Sequence, residues 1–248
     1  MLTIVVPCYN EADRLLPDAF MGFIAKNPEI GFLFVNDGST DATAQVIASM
    51  TQKACGRIGQ LNCTVNGGKA ESVRLGVLQA LAGTSSDYIG YWDADLATPL
   101  EAIHDLWTAA RDVPARKFIC GSRIRRMGAD IRRQPLRHYS GRLIATAASA
   151  LLELPFYDTQ CGAKLISRDL AARIFMQPFI SPWLFDLELI ARIIGHLGRQ
   201  ASHEAIYEVP LAVWTDIGES KIRYSYFPRI PFELLRIRHA YRHSLKVP

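Results

Sequence analysis

Short apolar runs that alternate with helix-like stretches restrict the fold of this sequence more than any other feature. Five runs rich in β-branched or aromatic residues have the length and composition of strands; they are TIVVPC, IGFLFV, LNCTVN, DYIGYW and KFICGS. A helix-like stretch follows each of the first four runs. Strands that alternate with helices form parallel sheets with right-handed connections. The sequence therefore predicts an α/β fold with a mostly parallel sheet flanked by helices.

Polar residues follow each predicted strand at the point where it ends. These endings are Asn10 and Glu11, Asp37 and Gly38, Asn66 and Gly67, Asp93 and Asp95, and Gly121 to Arg123. Ligands of open α/β sheets bind beyond the carboxyl ends of the strands. We therefore predict a ligand site at this edge of the sheet, where Asp37, Asp93 and Asp95 come together.

Asp93 and Asp95 end the fourth predicted strand and are separated by one alanine. Residues two apart in a strand point to the same side of it. Two adjacent carboxylates repel each other unless a positive charge lies between them, and hard divalent cations prefer carboxylate oxygens. The pair predicts a binding site for Mg²⁺ or Mn²⁺. The alternative is a loop with two solvated aspartates.

The cysteines and the apolar stretches argue against two classes of protein, those built on zinc sites or disulfides and those that span a membrane. The five cysteines include no C-x-x-C pair, which favours reduced thiols in a cytosolic protein over a zinc site or a disulfide framework. The longest weakly polar stretch, Leu143 to Phe156, contains Glu153 and is too short to cross a bilayer. We therefore expect no transmembrane helix.

Positive charge is concentrated in two segments of the chain. Ten Lys or Arg stand against two Asp or Glu between Arg111 and Arg142, and seven against two from Glu219 onward. Such segments suit an anionic ligand or an anionic membrane surface. The first of them lacks the interleaved aromatic residues of single-stranded nucleic-acid platforms, so we expect no nucleic-acid partner.

Seven motifs occur in the order typical of family 2 glycosyltransferases: VVPCYNEADRL, VNDGSTDAT, NGGKAESVRLG, DADLATP, GSR, DTQCGAKL and WLFDLELI. The chain resembles that family from Ile4 to Arg238. DADLATP, DTQCGAKL, WLFDLEL and the late GESK resemble, more narrowly, dolichyl-phosphate β-glucosyltransferases and other polyprenyl-phosphate glycosyltransferases. The resemblance implies a Rossmann-like GT-A fold and an inverting transfer of a hexose, with glucose from UDP-glucose foremost, onto a polyprenyl phosphate.

The resemblance also implies roles for residues around the nucleotide-sugar donor. Asp93 and Asp95 would hold the divalent cation at the diphosphate. The remaining donor contacts implied are Pro7, Tyr9, Glu11, Asp37 and Lys69.

Two positions depart from the family pattern. Asn36 replaces the first carboxylate of the usual D-D-G-S motif. Ala97 stands where related transferases have a glutamine that contacts the metal. We therefore expect the metal to take more of its ligands from water and from the diphosphate.

For the acceptor, the resemblance implies phosphate contacts from three arginines and roles for four other residues. Gln160 would lie near the sugar, Trp183 would stack on it, and Asp186 is the candidate general base. A phosphate monoester is already anionic, however, and needs little deprotonation. The phosphate-binding residues implied are Arg123, Arg133 and Arg137, with Lys221 as a lid over the phosphates.

The C-terminal segment has apolar residues at helical spacing with arginines opposite. The apolar residues are Phe227, Ile230, Leu234, Ile237, Tyr241 and Leu245. A basic amphipathic helix of this kind can lie in a membrane interface. We therefore predict a catalytic domain over residues 1–226 and a membrane-associating tail over 227–248, on the cytoplasmic face of a membrane. In the alternative interpretation, the apolar residues pack on the domain.

Two other functions stay open on the sequence alone. In the first, the same donor site serves a saccharide or a small hydroxyl acceptor, and Asp186 or another carboxylate must then act as a true base. In the second, the chain is a catalytically silent, basic membrane-binding module. The presence of Asp93 and Asp95 together with the GSR and QCG motifs argues against the silent module.

Overall fold

The computed structural model describes residues 1–133, 135–217, 229–243 and 245, with the backbone alone for 135–140 and 142–144. The strands are β1 (Leu2–Cys8), β2 (Ile30–Asp37), β3 (Ile58–Cys63), β4 (Tyr88–Trp92), β5 (Phe118–Ser122), β6 (Asp130–Arg132), β7 (Ala163–Ser167), β8 (Ile206–Pro210) and β9 (Val213–Thr215). The helices are α1 (Pro17–Lys26), α2 (Thr43–Lys53), α3 (Lys69–Gly83), α4 (Ala102–Asp112), α5 (Pro135–Leu152), α6 (Arg168–Ile174), α7 (Phe185–Leu197), α8 (Arg199–Ala205) and α9 (Ile230–Ala240).

Seven strands form one sheet in the order β3-β2-β1-β4-β7-β5-β8. The strands from β3 to β4 pair in parallel, and β8 is parallel to β5. The predicted mostly parallel α/β sheet is confirmed. β7, however, runs antiparallel to both β4 and β5. Its first residue, Ala163, pairs with Trp92, the last residue of β4, so the segment before β7 lies at the carboxyl end of β4.

Helices cover both faces of the sheet. Large apolar residues from α1, α2 and α4 pack on one face, where Phe20 makes edge contacts with Phe32 and Phe34. α3, α6 and α7 pack on the other face. An added Cβ at Gly76 of α3 would overlap the side chains of Val5 and Val35, so this glycine allows α3 to approach the sheet closely.

Local contacts set where several elements begin and end. α1 begins at Pro17, because residues 11–15 form a separate turn in which the Leu15 amide donates to the Glu11 carbonyl at 2.8 Å. Proline suits a first helical turn, where its missing N–H costs nothing. Two separate strands follow α8, since β8 pairs with β5 whereas β9 pairs with β6.

The apolar stripe of the C-terminal segment packs on the protein. Ile237 is 0% exposed and Leu245 8%, and both belong to a cluster with α5 and α7. Ile230, Leu234 and Tyr241 pack against the same cluster. The stripe predicted to enter a membrane therefore faces the core, because apolar area on α5 and α7 is already there to cover it. Phe227 and the predicted 226/227 boundary lie outside the described residues.

The other side of α9 exposes apolar area. Phe232 is 69% exposed and Leu235 59%. They line a groove of about 590 Å³ together with Ile180, Arg236, His239 and Ala240. Across the residues that the structure describes, no helix combines the length and the apolar character needed to span a bilayer.

Candidate active site

The carboxyl edge of the sheet joins the end of β4 to the turn before β7. The backbone amide of Asp93 donates to the Gly162 carbonyl at 3.1 Å. The Asp93 carboxylate occupies the space that a Cβ at Gly162 would need. Glycine at 162 therefore lets the aspartate lie against the backbone of this turn. Asp93 therefore lies at the edge of the sheet that the strand endings predict.

Both carboxylates of the D-x-D pair have a cationic partner. Lys69 Nζ lies 2.5 Å from Asp93 Oδ1, and Arg14 Nη2 lies 3.3 Å from Asp95 Oδ2. Burial and the neighbouring Asp93 carboxylate raise the pKa of Asp95, against the effect of Arg14 and Lys69. Burial lowers the pKa of Lys69, but the carboxylates around it, led by Asp93, outweigh this effect and raise the pKa. Positive charge therefore already surrounds the pair.

Sequence reasoning missed Arg14. It stands three residues after Glu11, and its Nε lies 3.5 Å from a Glu11 oxygen. Its Nη2 also approaches the carbonyl of Ile217 at 3.5 Å. The spacing from Glu11 was the one available signal, whereas contact with Asp95 depends on the tertiary fold.

Asp93 and Asp95 fit a divalent cation that takes its other ligands from elsewhere. Their side chains are 36% and 25% exposed, so both are open to a ligand at the sheet edge. Among the residues that the structure describes, no group of three or more His, Cys, Asp or Glu could hold a metal. Two carboxylates supply hard oxygen donors suited to Mg²⁺ or Mn²⁺, which commonly keep water or phosphate ligands. Ala97 offers no side-chain ligand, and its backbone amide donates to Asp95 Oδ1 at 3.0 Å.

The predicted nucleotide side of the site lies at the ends of β1 and β2. Asp37 is 3% exposed and accepts hydrogen bonds from the amides of Gly67 and Gly68 at 2.8 and 2.9 Å. This carboxylate therefore holds the turn that starts α3 and carries Lys69. Its contact with a base or ribose stays a prediction.

The other predicted nucleotide contacts vary in exposure. Glu11 is buried and its amide donates to the Thr43 hydroxyl at 2.8 Å. Tyr9 is 38% exposed and Pro7 is partly buried, at the end of β1. Asn36, at the departing position, donates to Asn62 Oδ1 at 3.1 Å and thus links β2 to β3. Donor contacts by Pro7, Tyr9 and Glu11 stay predictions.

Arg123 is paired with a carboxylate of the chain itself. Its Nε and Nη2 donate to the two oxygens of Asp158 at 2.5 and 2.7 Å, and its backbone amide donates at 3.2 Å. The guanidinium also lies 5.2 Å from the ring centroid of Trp214. Burial opposes ionisation of Asp158, but Arg123 outweighs it and holds the pKa of this carboxyl well below its usual range. Arg123 thus fixes the start of the 158–162 turn, and its contact with a phosphate stays a prediction.

Arg133 is a half-buried arginine close to Arg123 and α5. Its guanidinium lies against Gly141 of α5, where an added Cβ would overlap it. Burial, followed by the nearby Arg123, lowers the pKa of Arg133 to about 10. The Asp158 carboxylate, which pairs with Arg123, acts on this pKa in the opposite direction. The planar guanidinium of Arg133 is suited to a phosphate, and this contact stays a prediction. Arg137 lies on α5 without a described side chain, and Lys221 lies outside the described residues.

Gln160 and Cys161 belong to the same 158–162 turn. Within the described part of the chain, the side-chain nitrogen of Gln160 is buried and has no hydrogen-bond partner. A buried donor of this kind is available to a ligand or a water, and the place of Gln160 near the sugar stays a prediction. Burial raises the pKa of Cys161 to about 11, so the thiol stays protonated and is a poor nucleophile.

Asp186 lies in a buried ion pair, and this geometry disfavours its predicted role as a general base. Its Oδ1 is 2.7 Å from Lys164 Nζ and also accepts the hydroxyl of Tyr91. Asp186 is 4% exposed. A base needs an oxygen within reach of the acceptor proton, whereas these contacts already engage one. Trp183 is partly buried in the segment before α7, and its stacking on a sugar stays a prediction.

Sequence reasoning also missed Lys164. Its side chain is 0% exposed in the centre of the sheet. A lysine beside the apolar residues of the run AKLIS was the available signal, because lysine is almost never fully buried without a partner.

Comparisons with known proteins agree with this architecture. The sequence model of glycosyl transferase family 2 matches residues 3–175. A dolichyl-phosphate beta-glucosyltransferase of Trichomonas vaginalis is 31% identical over 258 aligned residues, which cover 98% of this chain and 72% of that protein. A dolichyl-phosphate beta-glucosyltransferase of Mus musculus is 31% identical and covers 89% of this chain and 69% of that protein.

A solved structure supports the fold class. Glucosyl-3-phosphoglycerate synthase from Mycobacterium tuberculosis, in complex with Mn²⁺ and UDP-glucose, superimposes with a TM-score of 0.68. The alignment covers 100% of this chain and 80% of that one at 17% identity. The predicted GT-A architecture is confirmed.

Proposed function

The chain belongs to glycosyl transferase family 2 and is a glycosyltransferase, and from this premise we propose that it transfers glucose from UDP-glucose to a polyprenyl phosphate with inversion at the anomeric carbon. The observation that carries the proposal is the pairing of Asp93 and Asp95 with Lys69 and Arg14, beside the turn that carries Gln160. This arrangement is suited to a diphosphate leaving group next to a sugar. Relatives named for glucose transfer to dolichyl phosphate support the donor sugar and the acceptor.

Departure of the diphosphate leaves negative charge that the site must stabilise. A divalent cation held by Asp93 and Asp95 would act there as a Lewis acid. Lys69 and Arg14 add two positive charges beside the same carboxylates. Charges held in place before the reaction stabilise the transition state without reorganisation. The structural relative with bound Mn²⁺ and UDP-glucose supports the choice of donor.

A phosphate acceptor suits this site better than a hydroxyl acceptor. A phosphate monoester is already anionic at neutral pH, so it attacks without a general base. The hydroxyl alternative requires a base such as Asp186, but Lys164 and Tyr91 engage this carboxylate. Arg133, half-buried near Arg123, offers positive charge to a phosphate. Arg137 belongs to the same basic segment of the sequence and lies on α5.

A membrane surface is the partner that a polyprenyl acceptor implies, because its lipid tail stays in the bilayer. We assign this contact to the exposed side of α9, with Phe232 and Leu235 as the apolar residues. Four exposed arginines on α9 or next to its ends favour anionic lipid; they are Arg229, Arg236, Arg238 and Arg242. The proposal is peripheral association on the cytoplasmic face.

A donor and acceptor panel tests the proposed function. UDP-glucose, UDP-galactose, UDP-N-acetylglucosamine and GDP-mannose are each incubated with Mn²⁺ or Mg²⁺, with and without polyprenyl phosphate. We expect a glucosyl lipid when UDP-glucose is combined with polyprenyl phosphate, and no lipid product from the other three donors. Transfer to a saccharide without lipid product would support the hydroxyl-acceptor alternative, and no turnover with any pair would support the silent membrane-binding module.

A further inference from the structure

We propose that Lys164 is a positioning residue for the transfer reaction: its buried ammonium group holds the 158–162 turn and thereby sets the positions of Asp93 and Gln160. The catalytic consequence rests on the proposed function. The structural part, that Lys164 holds the turn, does not depend on it.

Lys164 lies in the middle of the sheet, in β7, where its backbone pairs with Tyr91 on one side and Cys120 on the other. Its Nζ lies 2.7 Å from Asp186 Oδ1, 2.6 Å from the Cys161 carbonyl and 3.3 Å from the Thr159 carbonyl. An ammonium group has three N–H donors, and all three have an acceptor here. Two of these acceptors are backbone carbonyls of the 158–162 turn.

The turn is the direct neighbour of Asp93. Its last residue, Gly162, accepts the Asp93 amide at 3.1 Å and makes room for the Asp93 carboxylate. In the same turn the Gln160 amide donates to Asp158 Oδ1 at 3.1 Å. A displacement of this turn would therefore move Asp93, the proposed metal ligand, and Gln160, which is predicted to lie near the sugar.

Asp186 is the side chain that holds the Lys164 ammonium group in place. It stands in the first turn of α7, where the helix dipole stabilises negative charge. The Tyr91 hydroxyl, from β4, donates to the same oxygen that Lys164 contacts. Lys164 therefore ties the turn to β4 and α7, two regular elements. This arrangement accounts for a buried Asp186 without a role as a base.

An apolar side chain could not replace this function. Methionine has a similar length and would fill the space, but it has no donor. The carbonyls of Thr159 and Cys161 would lose their partner, and a buried acceptor without a partner is costly. The Asp186 carboxylate would also lose its counter-charge, which is strongly destabilising for a buried pair.

The experiment separates the ammonium group from the ion pair. Lys164→Met alone leaves a buried unpaired carboxylate and risks unfolding. Asp186→Asn therefore serves as the reference, and Lys164→Met/Asp186→Asn as the comparison. Both lack the carboxylate, and they differ only in the Lys164 amino group, which has N–H donors for the turn whether it is charged or neutral.

The first readout is amide hydrogen exchange in peptides that cover residues 157–163. We expect exchange about tenfold faster or more in the double variant than in Asp186→Asn, because the turn loses both carbonyl contacts. Equal exchange would overturn the proposal.

The second readout is steady-state transfer. We expect kcat about tenfold lower or more in the double variant than in the reference, because small misplacements at a reacting centre cost large factors in rate. We expect the KM for UDP-glucose to stay within about threefold, since Lys164 does not touch the proposed nucleotide region. Faster exchange with an unchanged kcat would overturn the positioning role.

Arg57→Met is the matched control. The Arg57 guanidinium also donates to two backbone carbonyls, those of Ile24 and Asn27, but at the opposite edge of the sheet. We expect neither exchange in residues 157–163 nor kcat to change in this variant. If the wild-type protein transfers no sugar at all, the proposed function fails, while the exchange readout still decides whether Lys164 holds the turn.

Discussion

The ammonium group of Lys69 lies 2.5 Å from the carboxylate of Asp93 and joins the first residue of α3 to the residue that follows β4. A second ion pair, from Arg14 to Asp95, repeats this arrangement across 81 residues of sequence. The two aspartates are therefore held among positive charges at the sheet edge.

Activity should require a divalent cation and Asp95. Asp95→Asn should lower kcat on the order of a hundredfold, because leaving-group charge would be poorly balanced. The measurement is transfer from UDP-glucose with Mn²⁺, Mg²⁺ or excess chelator. Asp105→Asn, an exposed change on α4, is the control and should leave turnover unchanged. Full activity in excess chelator would contradict the prediction.

Glycine at position 162 should be essential for turnover, because a Cβ there would displace the Asp93 carboxylate. Gly162→Ala should reduce kcat by about tenfold or more through misplacement of this group. Gly22→Ala is the matched control, since nothing lies within 4 Å of its added Cβ. Thermal unfolding of both variants should be measured together with kinetics. An active Gly162→Ala enzyme would show that Asp93 can move without consequence.

Arg133 and Arg137 should bind a phosphate. Arg133→Ala and Arg137→Ala should each weaken a phosphate-bearing substrate by about 1.5–3 kcal/mol, the range for hydrogen bonds to charged groups. The measurement is kcat and KM for the donor and for polyprenyl phosphate separately. Arg126→Ala, an exposed change in the same basic segment, should have little effect. Unchanged constants for both substrates would assign these arginines to a solvated surface.

The Arg123–Asp158 pair should make the free energy of unfolding depend on pH in the acid range. Because Arg123 lowers the pKa of Asp158 below the usual value of 3.8, the pair stabilises the fold fully above that value and loses its effect as the pH falls further. At pH 7, Asp158→Asn should lower the free energy of unfolding by about 3–5 kcal/mol. The difference in free energy of unfolding between Asp158→Asn and wild type should become smaller as the pH falls below 3.8, the usual pKa of an aspartate. Urea unfolding at several pH values measures this.

The control for that experiment is the exposed pair of Asp130 and Arg132, whose side chains are 52% and 71% exposed. Asp130→Asn should change the free energy of unfolding only slightly at any pH, because solvent screens exposed pairs. A gap between Asp158→Asn and wild type that stays constant down to low pH would argue against the ionised pair.

Membrane binding should depend on Phe232 and Leu235 and not on the buried stripe of α9. Phe232→Ser/Leu235→Ser should weaken sedimentation with anionic vesicles about fivefold or more, because two exposed apolar groups are lost from the interface. Val65→Ser is the control, because Val65 is an apolar residue that is 74% exposed and follows β3, far from α9 in the sequence. Equal binding by both variants would place the contact elsewhere, and no binding by the wild type would remove the membrane proposal.

Much of the fold and part of the site follow from local sequence. The alternation of apolar runs and helical stretches predicts the parallel strands, and the polar endings predict that Asp37 and Asp93 share one edge. Both depend on neighbours within a few residues along the chain, where the period of a strand or helix is a direct physical consequence of backbone geometry. The C-terminal stripe shows the limit of such patterns: its spacing predicts a helix, but not whether the stripe covers lipid or α7.

The sequence by itself determined the strand edge and the residue types available there. Only the tertiary structure decided their partners. Arg14 reaches Asp95, Lys164 pairs with Asp186, and Arg123 is committed to Asp158, through contacts that no period in the chain encodes. The reversed direction of β7 brings the 158–162 turn to Asp93. The reason is physical: periodicity reports which face of an element is buried, whereas ion pairs depend on which elements the completed sheet places side by side.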